Sequence, residues 1–164
     1  MRNELSQEAP MSAALQAIID HPGFPRRTAW WREDFGPGQA IIEEKAVTRD
    51  LFLIESGVVR VNKDVEVTAE RHMQSGLLEL SSGDIFGELN LFGQVTRSAT
   101  VIALTKGVVI HVDGKLLAEF MDQHLELGYA LLKEFFIHHS ALLSDSNERY
   151  SALYARQLRH DGGD

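Results

Sequence analysis

Residue types that can jointly hold an anion crowd one short run, Phe86-Gly87-Glu88-Leu89-Asn90-Leu91-Phe92-Gly93-Gln94-Val95-Thr96-Arg97-Ser98-Ala99-Thr100. The guanidinium of Arg97 can make charge-assisted, bidentate hydrogen bonds to a phosphate, a fork that lysine cannot reproduce. Glu88 offers a carboxylate as acceptor for a sugar hydroxyl. Gly87, with no side chain, lets a ligand come close to the backbone. A ligand with one phosphodiester charge and one free ribose hydroxyl needs this combination of cation, acceptor and backbone amides. The structural alternative is an ordinary Glu/Arg ion pair at a turn. The small residues Ser98 and Ala99 beside Arg97, with glycine before Glu88, favour a ligand site over that alternative.

Such a run needs strands on either side to hold it. From Ala29 onward short apolar runs are cut by turn residues at Gly36-Pro37-Gly38, Gly57, Ser75-Gly76, Ser82-Gly83, Gly93, Lys106-Gly107 and Asp113-Gly114, the pattern of a β-sandwich or jelly roll. Asn62 to Gln74 is charged and alternating and reads as an exposed hairpin. Helical spacing brackets this β region. Met11, Leu15, Ile18 and Ile19 follow Pro10 and stop at Pro22-Gly23. After Gly114 come Leu116, Leu117, Phe120 and Met121, then Leu125, Leu127, Leu131, Leu132, Phe135 and Phe136. The expected organisation is a flexible N-terminus at 1–10, an N-terminal helical segment at 11–28, a β-roll at 29–113, C-terminal helices at 114–158 and a polar tail at 159–164.

Composition narrows the function classes. With 164 residues and 44% hydrophobic content the chain suits one core. Sixteen Lys and Arg against 24 Asp and Glu give a net charge of −8, which opposes a nucleic-acid partner, because phosphate backbones are bound by clustered cations. A local positive pocket is still compatible with that charge. Cysteine is absent, so disulfides and thiolate chemistry are excluded. No signal-peptide or membrane-spanning stretch is evident, so the expected location is cytoplasmic, with no membrane partner. No Ser/His/Asp grouping, Walker loop or paired-carboxylate motif emerges, and the chain reads as a non-enzyme. His138 and His139 are adjacent on a helix, about 100° apart, and cannot chelate one ion together. His72 and His111 read as isolated, so no metal is expected and a cupin-type enzyme is disfavoured.

The run at 86–100 resembles the phosphate-binding cassette of the cyclic nucleotide-binding domain family, which includes the catabolite activator protein. The resemblance rests on Gly87-Glu88-Leu89 and Arg97-Ser98-Ala99-Thr100. It extends to Leu51-Phe52-Leu53-Ile54-Glu55-Ser56-Gly57-Val58-Val59-Arg60-Val61 and Ser82-Gly83-Asp84, covering roughly residues 30 to 145. It implies a mainly β fold with flanking helices (α+β), a jelly-roll or β-roll with an N-terminal helix and a long C-terminal helix. One departure is Lys45-Ala46, where the family usually has glycine soon after the Ile41-Ile42 strand.

The resemblance also implies roles. Phe86, Gly87, Glu88, Leu89, Arg97, Ser98 and Ala99 would hold a cyclic nucleotide, with Glu88 on the ribose 2′-hydroxyl and Arg97 on the phosphate. Leu89 would start a short helix, whose N-terminus favours anions. A residue of the C-terminal helix, here Ser144, would meet the base. The regulatory ligand is cAMP or cGMP, with cAMP favoured by family frequency. Relatives of the catabolite activator type carry a helix-turn-helix after the long helix. This chain reads as a stand-alone member without one, signalling to an unidentified effector protein. The stripe Tyr129, Leu132, Phe136, His139, Leu143 and Tyr150 is spaced as a helix-helix seam and suggests a homodimer. The alternative is a degenerate β-roll docking or dimerisation module that binds no nucleotide.

Overall fold

Leu51, Phe52, Leu53 and Ile54 are all buried, because the strand they form is covered on both faces. Successive side chains of a strand point to opposite sides. Leu51 and Leu53 face one cluster, shared with helices, while Phe52 and Ile54 face a second, between two sheets. The computed structural model describes residues 12–68, 71–93 and 96–161. The expected flexible segment 1–10 therefore lies outside the described residues, as do the last three residues of the expected tail.

The first sheet contains β1 (Trp30–Phe35), β3 (Leu51–Ser56), β6 (Ile85–Phe86) and β8 (Gly107–Val112), in the order β1-β8-β3-β6. The second contains β2 (Ala40–Ile42), β4 (Val59–Thr68), β5 (Arg71–Leu80) and β7 (Thr100–Ala103), in the order β2-β7-β4-β5. All pairings are antiparallel. β4 and β5 form the hairpin expected from the charged alternation of 62–74. The two sheets enclose Phe35, Ile42, Phe52, Ile54, Val59, Phe86, Val101 and Val109. This is a β-roll with flanking helices, the fold class expected from the sequence.

The helices cover the outer face of the first sheet. α1 (Ala13–Ile19) is capped by Ser12, whose hydroxyl accepts from the Leu15 amide, and it buries Leu15 and Ile18. α2 (Gly114–Gln123) is capped by Asp113, which accepts from the Leu116 amide. α3 (Leu125–Asp161) runs for 37 residues, roughly 55 Å at 1.5 Å per residue. It continues to Asp161, into the stretch expected to be a tail. Its first turns pack through Leu131, fully buried, and Phe135. The Glu134 carboxylate clasps the start of α1, accepting from the Ser12 hydroxyl and the Ala14 amide. Farther along, Phe136, Leu143, Tyr150 and Tyr154 are exposed.

Leu131 is thus the apolar anchor of α3. Leu131→Ala should cost about 2–5 kcal/mol, the usual range for emptying a fully buried leucine site. Urea unfolding measures this, and a loss below about 0.5 kcal/mol, the scale of surface substitutions, would show that α3 is not anchored there.

Candidate functional site

The short strand β6 delivers the chain into a left-handed residue at Gly87, φ 85°, followed by one turn of 3-10 helix over Glu88–Asn90. A β-carbon at Gly87 would stand 2.9 Å from the Asp50 carbonyl oxygen and 3.0 Å from an Arg97 nitrogen. Glycine is therefore required there both by conformation and by space. Leu91, fully buried, fixes the end of the turn in the helix-facing core. Gln94 and Val95 lie outside the described residues.

Arg97 returns along the turn that follows β2. Its amide donates to the Ala46 carbonyl at 2.8 Å, and its carbonyl accepts from the Lys45 amide at 2.9 Å. Lys45 adopts φ 68°, a left-handed conformation that favours glycine, in the Lys45-Ala46 turn where a glycine was expected. The chain keeps the turn despite the lysine and bears the associated strain, about 1–2 kcal/mol for a residue with a β-carbon.

Arg97 is only 3% exposed. Nε donates to Thr48 Oγ1 at 2.8 Å, one terminal nitrogen to the Gly87 carbonyl at 2.7 Å and the other to the Asp50 carbonyl at 2.5 Å. Burial is the main influence on Arg97 and lowers its pKa, while the charges of Asp50 and Glu88 act in the opposite direction. The cation forms the floor of the site, held by backbone oxygens.

Above it is a cavity of about 230 Å³. Phe86, Gly87, Glu88, Leu89, Arg97, Ser98 and Ala99 all line it, so the structure brings together these sequence-predicted residues. Ser144 does not line it. The α3 residues that do are His138, His139 and Leu142, and at about 100° per residue position 144 points away from the face that carries 142. Glu88 is already engaged, with Oε1 lying 2.7 Å from His139 Nε2. Thr48 and Asp50 were not singled out from the sequence, and His138 and His139 were considered there only as a metal pair and, for His139, as part of the helix-helix stripe. Among the described residues no group of three or more His, Cys, Asp or Glu is arranged to hold a metal ion, and no helix is long and apolar enough to cross a membrane.

His111, expected to be isolated, joins Asp50 to β1. It pairs across the sheet with Trp31 and Phe52, and its ring lies 4.1 Å from the Trp31 ring and 4.5 Å from that of Phe52. Nδ1 is 3.0 Å from Glu33 Oε2, and Nε2 approaches Asp50 Oδ2 at 3.1 Å, off the hydrogen-bond axis. The other Asp50 oxygen accepts from the Gly114 amide at 3.3 Å. For His111 burial is the largest single influence and opposes the charge, but Asp50 and Glu33 together outweigh it and raise the pKa. The Asp50 carboxyl is held below its ordinary range, chiefly by His111.

The signs are opposite for the two partners. A raised histidine pKa gives stability that is complete below the unfolded value and is lost as pH rises through the folded one. A lowered carboxyl pKa gives stability present above its unfolded value and lost as pH falls through the folded one. The stability difference between the native chain and His111→Gln should therefore shrink as pH is raised from about 6 to about 9, across and above the histidine range. Urea titrations at several pH values read this. A difference independent of pH would contradict a charged His111.

Residues 32–124 match the family model of the cyclic nucleotide-binding domain. The chain is 37% identical over 76 residues to cGMP-dependent protein kinase, isozyme 1, of Drosophila melanogaster, a match covering 46% of this chain and 10% of the kinase. It is 39% identical over 71 residues to the cAMP-dependent protein kinase regulatory subunit of Yarrowia lipolytica, covering 43% of this chain and 17% of the subunit. The matched regions are thus small parts of both curated relatives. The fold is similar to that of the Thermus thermophilus catabolite activator protein, with a TM-score of 0.56 at 20% identity, covering 79% of this chain and 55% of that one. With the family model spanning more than half of the chain and the β-roll in place, the chain belongs to the cyclic nucleotide-binding domain family.

Proposed function

We propose that this chain is a regulatory sensor that binds a cyclic nucleotide in the cassette cavity, cAMP ahead of cGMP, and passes the event to a partner protein through α3. The observation that carries this reading is the convergence of Gly87, Glu88, Leu89, Arg97, Ser98 and Ala99 on one cavity. In this reading the phosphodiester lies over the Arg97 floor, where a buried cation surrounded by little water attracts an anion strongly. Glu88 accepts the ribose hydroxyl, and the base reaches the α3 face that carries His138 and Leu142. No group here is assigned a catalytic role, and the family is regulatory.

The signal would travel by a shift of α3. A ligand moves such an equilibrium only as far as its affinity differs between the two helix positions. Two physical connections serve it. Asp50 receives Arg97 on its carbonyl and the first amide of α2 on its carboxylate, and α2 packs against α3 where Gly128 meets Met121. Glu88 contacts α3 directly through His139. The exposed stripe Tyr129, Leu132, Phe136, Leu143 and Tyr150 follows the a/d spacing of a two-helix seam and would join two copies. Cytoplasmic location belongs to this reading, and it is compatible with the lack, among the described residues, of a helix long and apolar enough to cross a membrane.

A second reading, a docking or dimerisation module that binds no nucleotide, draws on two features. Arg97 is spent on its own chain, and the cavity of about 230 Å³ is smaller than the roughly 300–1,000 Å³ common for ligand sites. Calorimetric titration with cAMP and with cGMP separates the two readings. Sensor function predicts saturable binding that weakens at least about 100-fold in Arg97→Ala, the loss of a charge-assisted contact of roughly 3 kcal/mol. Because Arg97 is buried, Glu88→Ala is run beside it, with circular dichroism to confirm the fold. Absence of heat with either nucleotide would turn the reading towards the docking module.

A further inference from the structure

Glu88 has a resident partner at the position where a ribose hydroxyl would bind. His139 Nε2 stands 2.7 Å from its Oε1, with the two side chains 32% and 11% exposed. That nitrogen is buried and makes no aligned hydrogen bond among the described residues, so the contact is a close approach that a better-aligned donor can replace. The pair also stands between two spaces. One is the cassette cavity. The other, about 590 Å³, lies between α1, α3 and the turn Gly83–Ile85, and Ile85, Glu88, His138 and His139 belong to the lining of both.

We propose that His139 is an internal competitor for Glu88. In the ligand-free chain it holds α3 against the cassette and divides the space beside it. A nucleotide ribose takes the same carboxylate, releasing His139 and joining the two cavities. This rests on the nucleotide reading of the cassette and adds what regulates it. The placement of the contact along α3 suits a latch. Leu131 and the Glu134 clasp fix the helix on the N-terminal side of His139, while Leu143, Tyr150 and Tyr154 beyond it are exposed. The small cassette cavity is then a consequence of the closed latch.

The test compares the native chain with His139→Ala and His139→Leu in titrations with cAMP and cGMP at one pH. Ala removes both the donor and the bulk, and Leu removes the donor alone. Competition for Glu88 predicts that both variants bind about two- to fivefold more tightly, the scale of a partly exposed side-chain contact. Tightening in Ala but not Leu would mean that His139 only fills space, and would overturn the proposal. Native binding that neither variant improves would also overturn it, while leaving the cassette reading intact. No binding by any of the three would remove the cassette reading itself. Hydrogen exchange without ligand reads the latch separately: amides around His139 should exchange faster in both variants, and unchanged exchange would contradict it.

Discussion

A guanidinium shut away from water must be given oxygen partners, and here that requirement draws the whole site together. The three acceptors of Arg97 come from two separate segments, Thr48 and Asp50 before β3 and Gly87 at the cassette turn. Its backbone is fixed from a third, the Lys45-Ala46 turn. Leaving a buried charged group without one of its hydrogen-bond partners costs about 1–3 kcal/mol or more, so each segment is held in register with the others. Gly87 fits this arrangement because any side chain would press on both the Asp50 carbonyl and Arg97.

From that floor the contacts lead outward to the helices. Asp50 carries the first connection, since it touches Arg97, His111 and the start of α2. Glu88 carries the second, to α3. The β-roll is thus a frame that keeps a charged cassette at the foot of a long helix. α3 is firmly packed for its first turns and exposed farther on at Leu143, Tyr150 and Tyr154, an arrangement that favours movement beyond Glu134 over movement at Leu131.

Much of this was legible in the sequence, for identifiable reasons. The cassette is a local run, so its residue types and order survive without knowledge of the fold. The four-residue apolar run Leu51–Ile54 and the turn residues between strands expose the β-roll, and the 3.6-residue spacing after Gly114 exposes the helices. The missed features depend on tertiary contact. Arg97 is held partly by carbonyls of Gly87 and Asp50, and a backbone acceptor leaves no mark in residue type. His111 gains its carboxylate neighbours only through the register of β1, β8 and β3. His139 sat on the stripe expected to pair helices, yet it reaches Glu88. Ser144 was named from a family position, whereas the α3 face toward the cassette carries residues 138, 139 and 142. The Lys45 turn forms without the expected glycine because Arg97 clamps it from both sides.

The most direct test of a nucleotide seated on the Arg97 floor is an amide-resolved NMR titration of the chain with cAMP and cGMP. The expected result is saturable shifts first at Gly87, Glu88, Leu89, Ser98 and Ala99, followed by the α3 amides around His139. Resonances that stay in place at millimolar nucleotide, or shifts confined to surfaces away from the cassette, would contradict it.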